Sequence, residues 1–115
     1  MVPVHGEVDL ATADRTRDRL LRAAYDSRCD CLVVDMSGLD FFDASGVRAL
    51  MSVARILWAQ QRHTVLAEPS PIAARVLSAL ELGRVFEIYP LLEMALTHTS
   101  GLRVDGEPIA NNPVP

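Results

Sequence analysis

Short apolar runs alternate with single amphipathic helices along this chain, which predicts a small α/β domain of about four mainly parallel strands and four helices. Two segments carry that prediction. Cys31-Leu32-Val33-Val34 is a continuous apolar run with β-branched members, as in a central strand covered on both faces. Val47, Leu50, Met51, Ala54, Leu57 and Trp58 then recur at the spacing of one helical stripe. The 115 residues suit one domain, and 50% apolar with 23% charged residues is ordinary for a folded one. A chain of this size buries roughly two thirds of its unfolded surface, enough for one core.

Val2 to His5 reads as a short strand, with Pro3 marking an edge or a strand start. Gly6 to Asp9 reads as a loop. Helical spacing follows from Thr12 to about Tyr25, with Ala13, Thr16, Leu20, Ala23 and Ala24 on one face and Asp9 or Thr12 as the cap. After the Cys31–Val34 strand, Asp35 to Asp43 reads as a turn-rich loop containing Ser37-Gly38. The second helix comes next, and Thr64 to Ala67 is another strand. Pro69-Ser70-Pro71 opens a third helix whose inward face is Ile72, Ala73, Val76, Leu77 and Leu80, stopped by Gly83. Val85 to Tyr89 reads as a half-buried strand, and Leu91 to Thr99 as a last helix with Leu92, Ala95 and Leu96 inward. Residues 1–99 form the expected domain. Residues 100–115, rich in Gly and Pro without periodicity, are expected to be a mobile tail.

Composition removes several function classes. A net charge of −4 argues against sequence-independent nucleic-acid binding, which needs a basic surface. No apolar stretch approaches the ~20 residues of a membrane span, and the N-terminal residues lack the basic and apolar regions of a signal peptide, so a cytoplasmic location is expected. All eleven basic residues are Arg, which excludes a lysine-dependent phosphate loop or Schiff base. Cys29 and Cys31 are poorly placed to pair with each other, and His5, His63 and His98 are scattered, so no metal site or cofactor is expected; the redox role of the two thiols stays open.

The remaining chemistry gathers in the two loops after the first two strands, which carry Glu7, Asp9, Asp35, Asp40, Asp43 and Ser45. Of Phe41 and Phe42, one is expected to plug the core and the other to face a partner. Asp43 or Ser45 suits a helix N-cap, and Gly46 permits close backbone approach. A catalytic serine lacks both the Gly-x-Ser-x-Gly elbow and a placed histidine. An acid–base pair of Asp9 and Asp43 has no support beyond the residue types.

Three segments in order carry a resemblance: Gly6-Glu7-Val8-Asp9-Leu10-Ala11-Thr12-Ala13, Leu32-Val33-Val34-Asp35-Met36-Ser37-Gly38-Leu39, and Phe42-Asp43-Ala44-Ser45-Gly46-Val47. Together they resemble the STAS domain, and more narrowly the bacterial anti-sigma factor antagonists, over residues 2 to about 99. The resemblance implies a binding module that is a kinase substrate and not an enzyme. In its unphosphorylated form such a protein binds an anti-sigma factor, itself an ATP-dependent serine kinase, and releases the sigma factor. Phosphorylation, here implied at Ser45, ends the binding, and a PP2C-like phosphatase restores it. The implied partner surface comprises Asp9, Asp40, Phe42, Asp43, Ala44, Ser45 and Gly46. Ala44 stands where many members carry Ser or Thr, which leaves Ser45 the only hydroxyl of the motif. The family's additional strand before Gly-Glu-x-Asp has no counterpart, so either the start is misassigned or one sheet edge is bare, which leaves a homodimer through that edge open. An alternative reading is a STAS subunit of a lipid-transport ABC system or an anion transporter, docking without kinase control.

Overall fold

The computed structural model describes residues 1–27 and 30–97. Cys29, the last residues of the final predicted helix and the tail expected from residue 100 lie outside the described residues. Four strands, β1 (Val2–Val8), β2 (Cys31–Phe42), β3 (His63–Ala67) and β4 (Glu87–Tyr89), pair in chain order and all in parallel. Helices α1 (Ala13–Ser27), α2 (Ala44–Ala59) and α3 (Pro71–Ala79) connect them. A 3-10 turn, Leu82–Arg84, precedes β4, and a short helix, α4, covers 92–97.

A parallel sheet that grows in one direction by right-handed crossovers must carry its connecting helices on one face. The core obeys that constraint. Leu20 of α1, Leu50, Val53 and Leu57 of α2, and Leu77 of α3 meet Leu32, Val34, Met36 and Leu66 of the sheet. The alternate residues Val33, Val65 and Ala67 point the other way and are covered by Ala95 of α4, with Leu92 and Tyr89 alongside. The apolar run at the start of β2 is therefore buried on both sides, as its composition predicts.

The two expected loops are corrected. Both strands continue through them, β1 as far as Val8 and β2 as far as Phe42. Val2 pairs with Val34 and Val8 with Phe42, and two register shifts let β2 absorb one extra residue each time. The turn-forming residues sit at these irregularities. Asp35 Oδ1 accepts from the Ser37 N–H at 3.0 Å and the Ser37 hydroxyl at 2.8 Å. Gly6 takes a φ of 80°. A Cβ on Gly38 would lie 2.8 Å from the Cβ of His5, so only glycine lets the strands approach there. Backbone pairing along the full length of β1 outweighs local turn preference, and the turn residues survive as bulges.

Three helical expectations also change. α3 ends before Gly83, because Glu81 takes the left-handed conformation at φ 54° and the chain turns to bury Leu82 and Phe86; Leu80 is left exposed. The inward stripe of α2 is Val47, Leu50, Val53 and Leu57, while Met51 and Trp58 lie at its margin, 39% and 44% exposed. In α4, Ala95 is buried and Leu96 is exposed. The cap of α3 ties it to the sheet: the Ser70 hydroxyl accepts from the Ala73 N–H at 3.3 Å, and the Ser70 N–H donates to the Met36 carbonyl at 3.1 Å.

Tyr89 closes β4 against the smaller face of the sheet. Burial pushes its phenol from 10.0 up to about 12, with the charges of Glu87 and Cys31 adding in the same direction. The native state thus holds this proton after the unfolded chain has lost it. The resulting stability is complete below pH 10.0 and disappears as pH rises towards about 12. Chemical denaturation across that window should show falling stability in the wild type and a flatter profile in Tyr89→Phe; parallel profiles would contradict the assignment.

Candidate functional site

The carboxyl ends of β1 and β2 lie side by side, since Val8 pairs with Phe42. The next residue of each strand is an aspartate: Asp9 holds the turn that leads into α1, and Asp43 caps α2. Asp9 Oδ1 accepts from the Ala11 N–H at 3.0 Å and the Thr12 N–H at 3.2 Å, and the Thr12 hydroxyl accepts from the Asp9 N–H at 3.0 Å. Asp43 is the N-cap of α2, its Oδ1 accepting from the Ser45 N–H at 2.9 Å and the Gly46 N–H at 3.4 Å. A cap of this kind contributes about 1 kcal/mol and also fixes where the helix starts.

α2 begins at Ala44, so Ser45 is its second residue, half-buried, with its own N–H held by Asp43. Ala44 is exposed beside it. Gly46 is buried, and the reason is steric. A Cβ there would lie 2.5 Å from the Phe42 ring and 3.1 Å from Val8 Cγ1. The first turn of α2 thus rests directly on the ring that ends β2.

That contact decides between the two phenylalanines. Phe42 is 3% exposed and belongs to the core, whereas Phe41 is 40% exposed. Phe42 was expected on the partner surface, and the structure corrects this: it supports the site from beneath, and Phe41 is the accessible ring. Gly46 likewise shapes the surface without lying on it. Asp40 is exposed, in the second irregularity of β2, between Leu39 opposite Gly6 and Phe41 opposite Glu7.

The surface around Ser45 is not uniformly acidic. On the α1 side a shallow cleft of about 230 Å³ is lined by Ser45, Leu10, Arg17 and Arg48 among others. Arg17 pairs with Asp18 at 3.1 Å. Arg48 is exposed, three residues beyond Ser45. Sequence reading placed Arg48 on the outer side of its helix, and nothing in the spacing set it beside a residue of α1. Acids line the strand ends, while the helix side is mixed, with Arg17 and Arg48 beside Asp14. His63 opens β3, at the opposite end of the sheet from Ser45, so it supplies no base there. Among the described residues no cluster of His, Cys, Asp or Glu could hold a metal ion, and no helix is long and apolar enough to cross a membrane.

A family model described as STAS domain matches residues 1–95. The chain belongs to the STAS domain family. Its curated relatives include the anti-sigma-F factor antagonist RsfB of Mycobacterium tuberculosis, 26% identical over 105 residues, which span 91% of this chain and 84% of that protein. The anti-sigma F factor antagonist of Lysinibacillus sphaericus is 28% identical over 83 residues, covering 72% and 71% of the two chains. Among solved structures, an anti-sigma factor antagonist from Mycobacterium paratuberculosis superposes with a TM-score of 0.75 at 26% identity, over 85% of this chain and 82% of the other. The antagonist SpoIIAA matches in two states. Its unphosphorylated form gives a TM-score of 0.70 at 25% identity, covering 86% and 85% of the chains. Its phosphorylated form gives 0.61 at 25%, covering 84% and 86%.

The Gly46–Phe42 contact makes a direct prediction. Gly46→Ala should lower stability by about 1–3 kcal/mol in urea unfolding, because a buried ring must yield. Adding Phe42→Leu to that variant should recover part of the loss. An unchanged midpoint in Gly46→Ala would show that the close approach exerts no constraint.

Proposed function

We propose that this STAS domain is an anti-sigma factor antagonist switched at Ser45. In the unphosphorylated form the end of the β1–β2 pair and the first turn of α2 bind an anti-sigma factor and free its sigma factor. The anti-sigma factor is an ATP-dependent serine kinase that phosphorylates Ser45, and a PP2C-like phosphatase reverses the step. On this reading the chain is a substrate and a binding module, not an enzyme, and it acts in the cytoplasm as one domain over residues 1–99. Asp9, Asp40, Asp43 and Ala44 form the contact surface with Ser45, and Phe41 adds an accessible apolar ring.

The observation that carries the reading is the setting of Ser45 on the second residue of α2, half-buried at the end of the β1–β2 pair, its N–H fixed by Asp43. A hydroxyl there is reachable without unfolding. Phosphate adds about −1.5 to −2 charges at neutral pH. The helix N-terminus tolerates that charge locally, so the fold survives. The likeness of this chain to SpoIIAA in both its unphosphorylated and phosphorylated forms supports a switch without refolding. A partner matched to a neutral serine beside Asp9 and Asp43 loses that match when the charge arrives. A change of ~4 kcal/mol cuts affinity about a thousandfold. The relatives named above are regulators, which favours this reading over a transport subunit. β1 is an edge strand of the four-stranded sheet, and a second copy would add there if the protein dimerises.

Titration of the cognate anti-sigma factor with two variants tests the switch. Ser45→Ala should bind as tightly as the unphosphorylated wild type and resist inactivation by ATP, whereas Ser45→Asp should bind at least about tenfold more weakly. Equal affinities would remove Ser45 from the switch.

A further inference from the structure

Arg48 follows Ser45 on α2 at a spacing of one helical turn, and both line the shallow cleft between α1 and α2. Side chains at i and i+3 are neighbours on a helix surface, with about 5–6 Å between their Cβ atoms. Arg48 is exposed, and among the described residues it enters no hydrogen bond and no ion pair. The other charges lining the cleft come from α1. Arg17 is already held by Asp18, whose Oδ1 accepts from Nε at 3.2 Å and Nη2 at 3.1 Å. Asp14 is exposed and pairs with neither arginine. Arg48 is therefore the cation of this cleft whose charge is uncommitted.

On the other side of Ser45 stands a carboxylate. Asp43 Oδ1 caps the helix by accepting from the Ser45 N–H at 2.9 Å. A phosphate on the Ser45 hydroxyl would bring a further charge of about −1.5 to −2 close to that cap. Like charges so near each other oppose the folded arrangement. A cation one turn further along α2 offsets that repulsion. The order of the two charges is also the favourable one, since an anion preceding a cation along a helix agrees with the helix dipole. A guanidinium can meet a phosphate with two parallel N–H bonds, which a single point charge cannot do. The cleft, of about 230 Å³, leaves room beside the serine for the phosphate oxygens.

We propose that Arg48 is the counter-ion of phosphorylated Ser45, holding the phosphate on α2 beside the α1–α2 cleft and protecting the Asp43 cap. The proposal rests on the reading of Ser45 as the phosphorylated residue. It adds that the modified state is stabilised by a side chain of this protein, and is not merely tolerated by the fold. Arg48 acts on the phosphate after transfer, as a positioning residue.

The test is ³¹P NMR of the full chain carrying phosphoserine at position 45, incorporated during translation, so that neither kinase nor partner is needed. The second ionisation of phosphoserine ordinarily falls at about pH 6. A nearby cation favours the dianion, so removing it must raise the midpoint. Arg48→Gln should raise it by about 0.3 or more at low salt, and ~1 M NaCl should erase most of that difference. Arg17→Gln should move the midpoint less, because Arg17 is already paired with Asp18. In urea, phosphorylation should cost the Arg48→Gln protein more stability than it costs the wild type, while the two unphosphorylated proteins unfold alike. Equal ³¹P midpoints with and without Arg48 would overturn the proposal, and so would a larger effect from Arg17→Gln. The switch itself fails on a different reading, equal affinity of the anti-sigma factor for the phosphorylated and unphosphorylated chains, which leaves these midpoints as they are.

Discussion

The placement of the first turn of α2 rests on one steric contact, the backbone of Gly46 against the ring of Phe42. The ring closes the core at the end of β2, and the missing Cβ lets the helix sit directly upon it. With the helix axis so fixed, the Asp43 carboxylate reaches the N–H groups of Ser45 and Gly46, and the serine takes one position. A Cβ at Gly46 would meet the Phe42 ring at 2.5 Å, so the ring beneath the turn would have to yield. The glycine of Asp-Ala-Ser-Gly is therefore a packing residue.

The same end of the sheet shows how two helices are set in parallel. Val8 and Phe42 are paired, and each strand hands its chain to an aspartate, Asp9 closing the turn before α1 and Asp43 capping α2. The acids are thus held by local hydrogen bonds that do not depend on a partner. A surface built this way is rigid before binding, which spares the ordering cost that a loop would add. Its charge layout is mixed: carboxylates at the strand ends, Arg17 and Arg48 beside Asp14 on the helix side, and the Ser45 hydroxyl at the first turn of α2. Adding a dianion at that hydroxyl changes the sign balance at the centre of the surface while leaving the core beneath it untouched.

Much of this was legible in the residues. The α2 stripe, the doubly covered run Leu32–Val34 and the capping potential of Asp9 and Asp43 follow from spacing and residue type alone. The extended pairing of β1 with β2 did not, because Gly6 and Ser37-Gly38 carry turn signals that the structure uses as bulges. Local preference and long-range pairing compete there, and pairing along the whole edge wins. The choice between Phe41 and Phe42 was equally hidden, since it depends on register relative to β1. The end of α3 was misplaced because Glu81, a residue with no special turn preference, adopts the left-handed conformation while Gly83 does not need it. Met51 and Trp58 matched the helical stripe, but only the third dimension shows that β3 and Phe86 leave a gap beside them. The proximity of Arg17 and Arg48 to Ser45 is likewise a product of packing between two helices distant in sequence.

The most direct test of the central claim is intact-mass analysis with phosphosite mapping of the protein incubated with its cognate anti-sigma factor and ATP. One phosphate, on Ser45, with the complex dissociating as it appears, is the predicted result. An unmodified Ser45, or a phosphate at another residue accompanied by the same loss of binding, would contradict it.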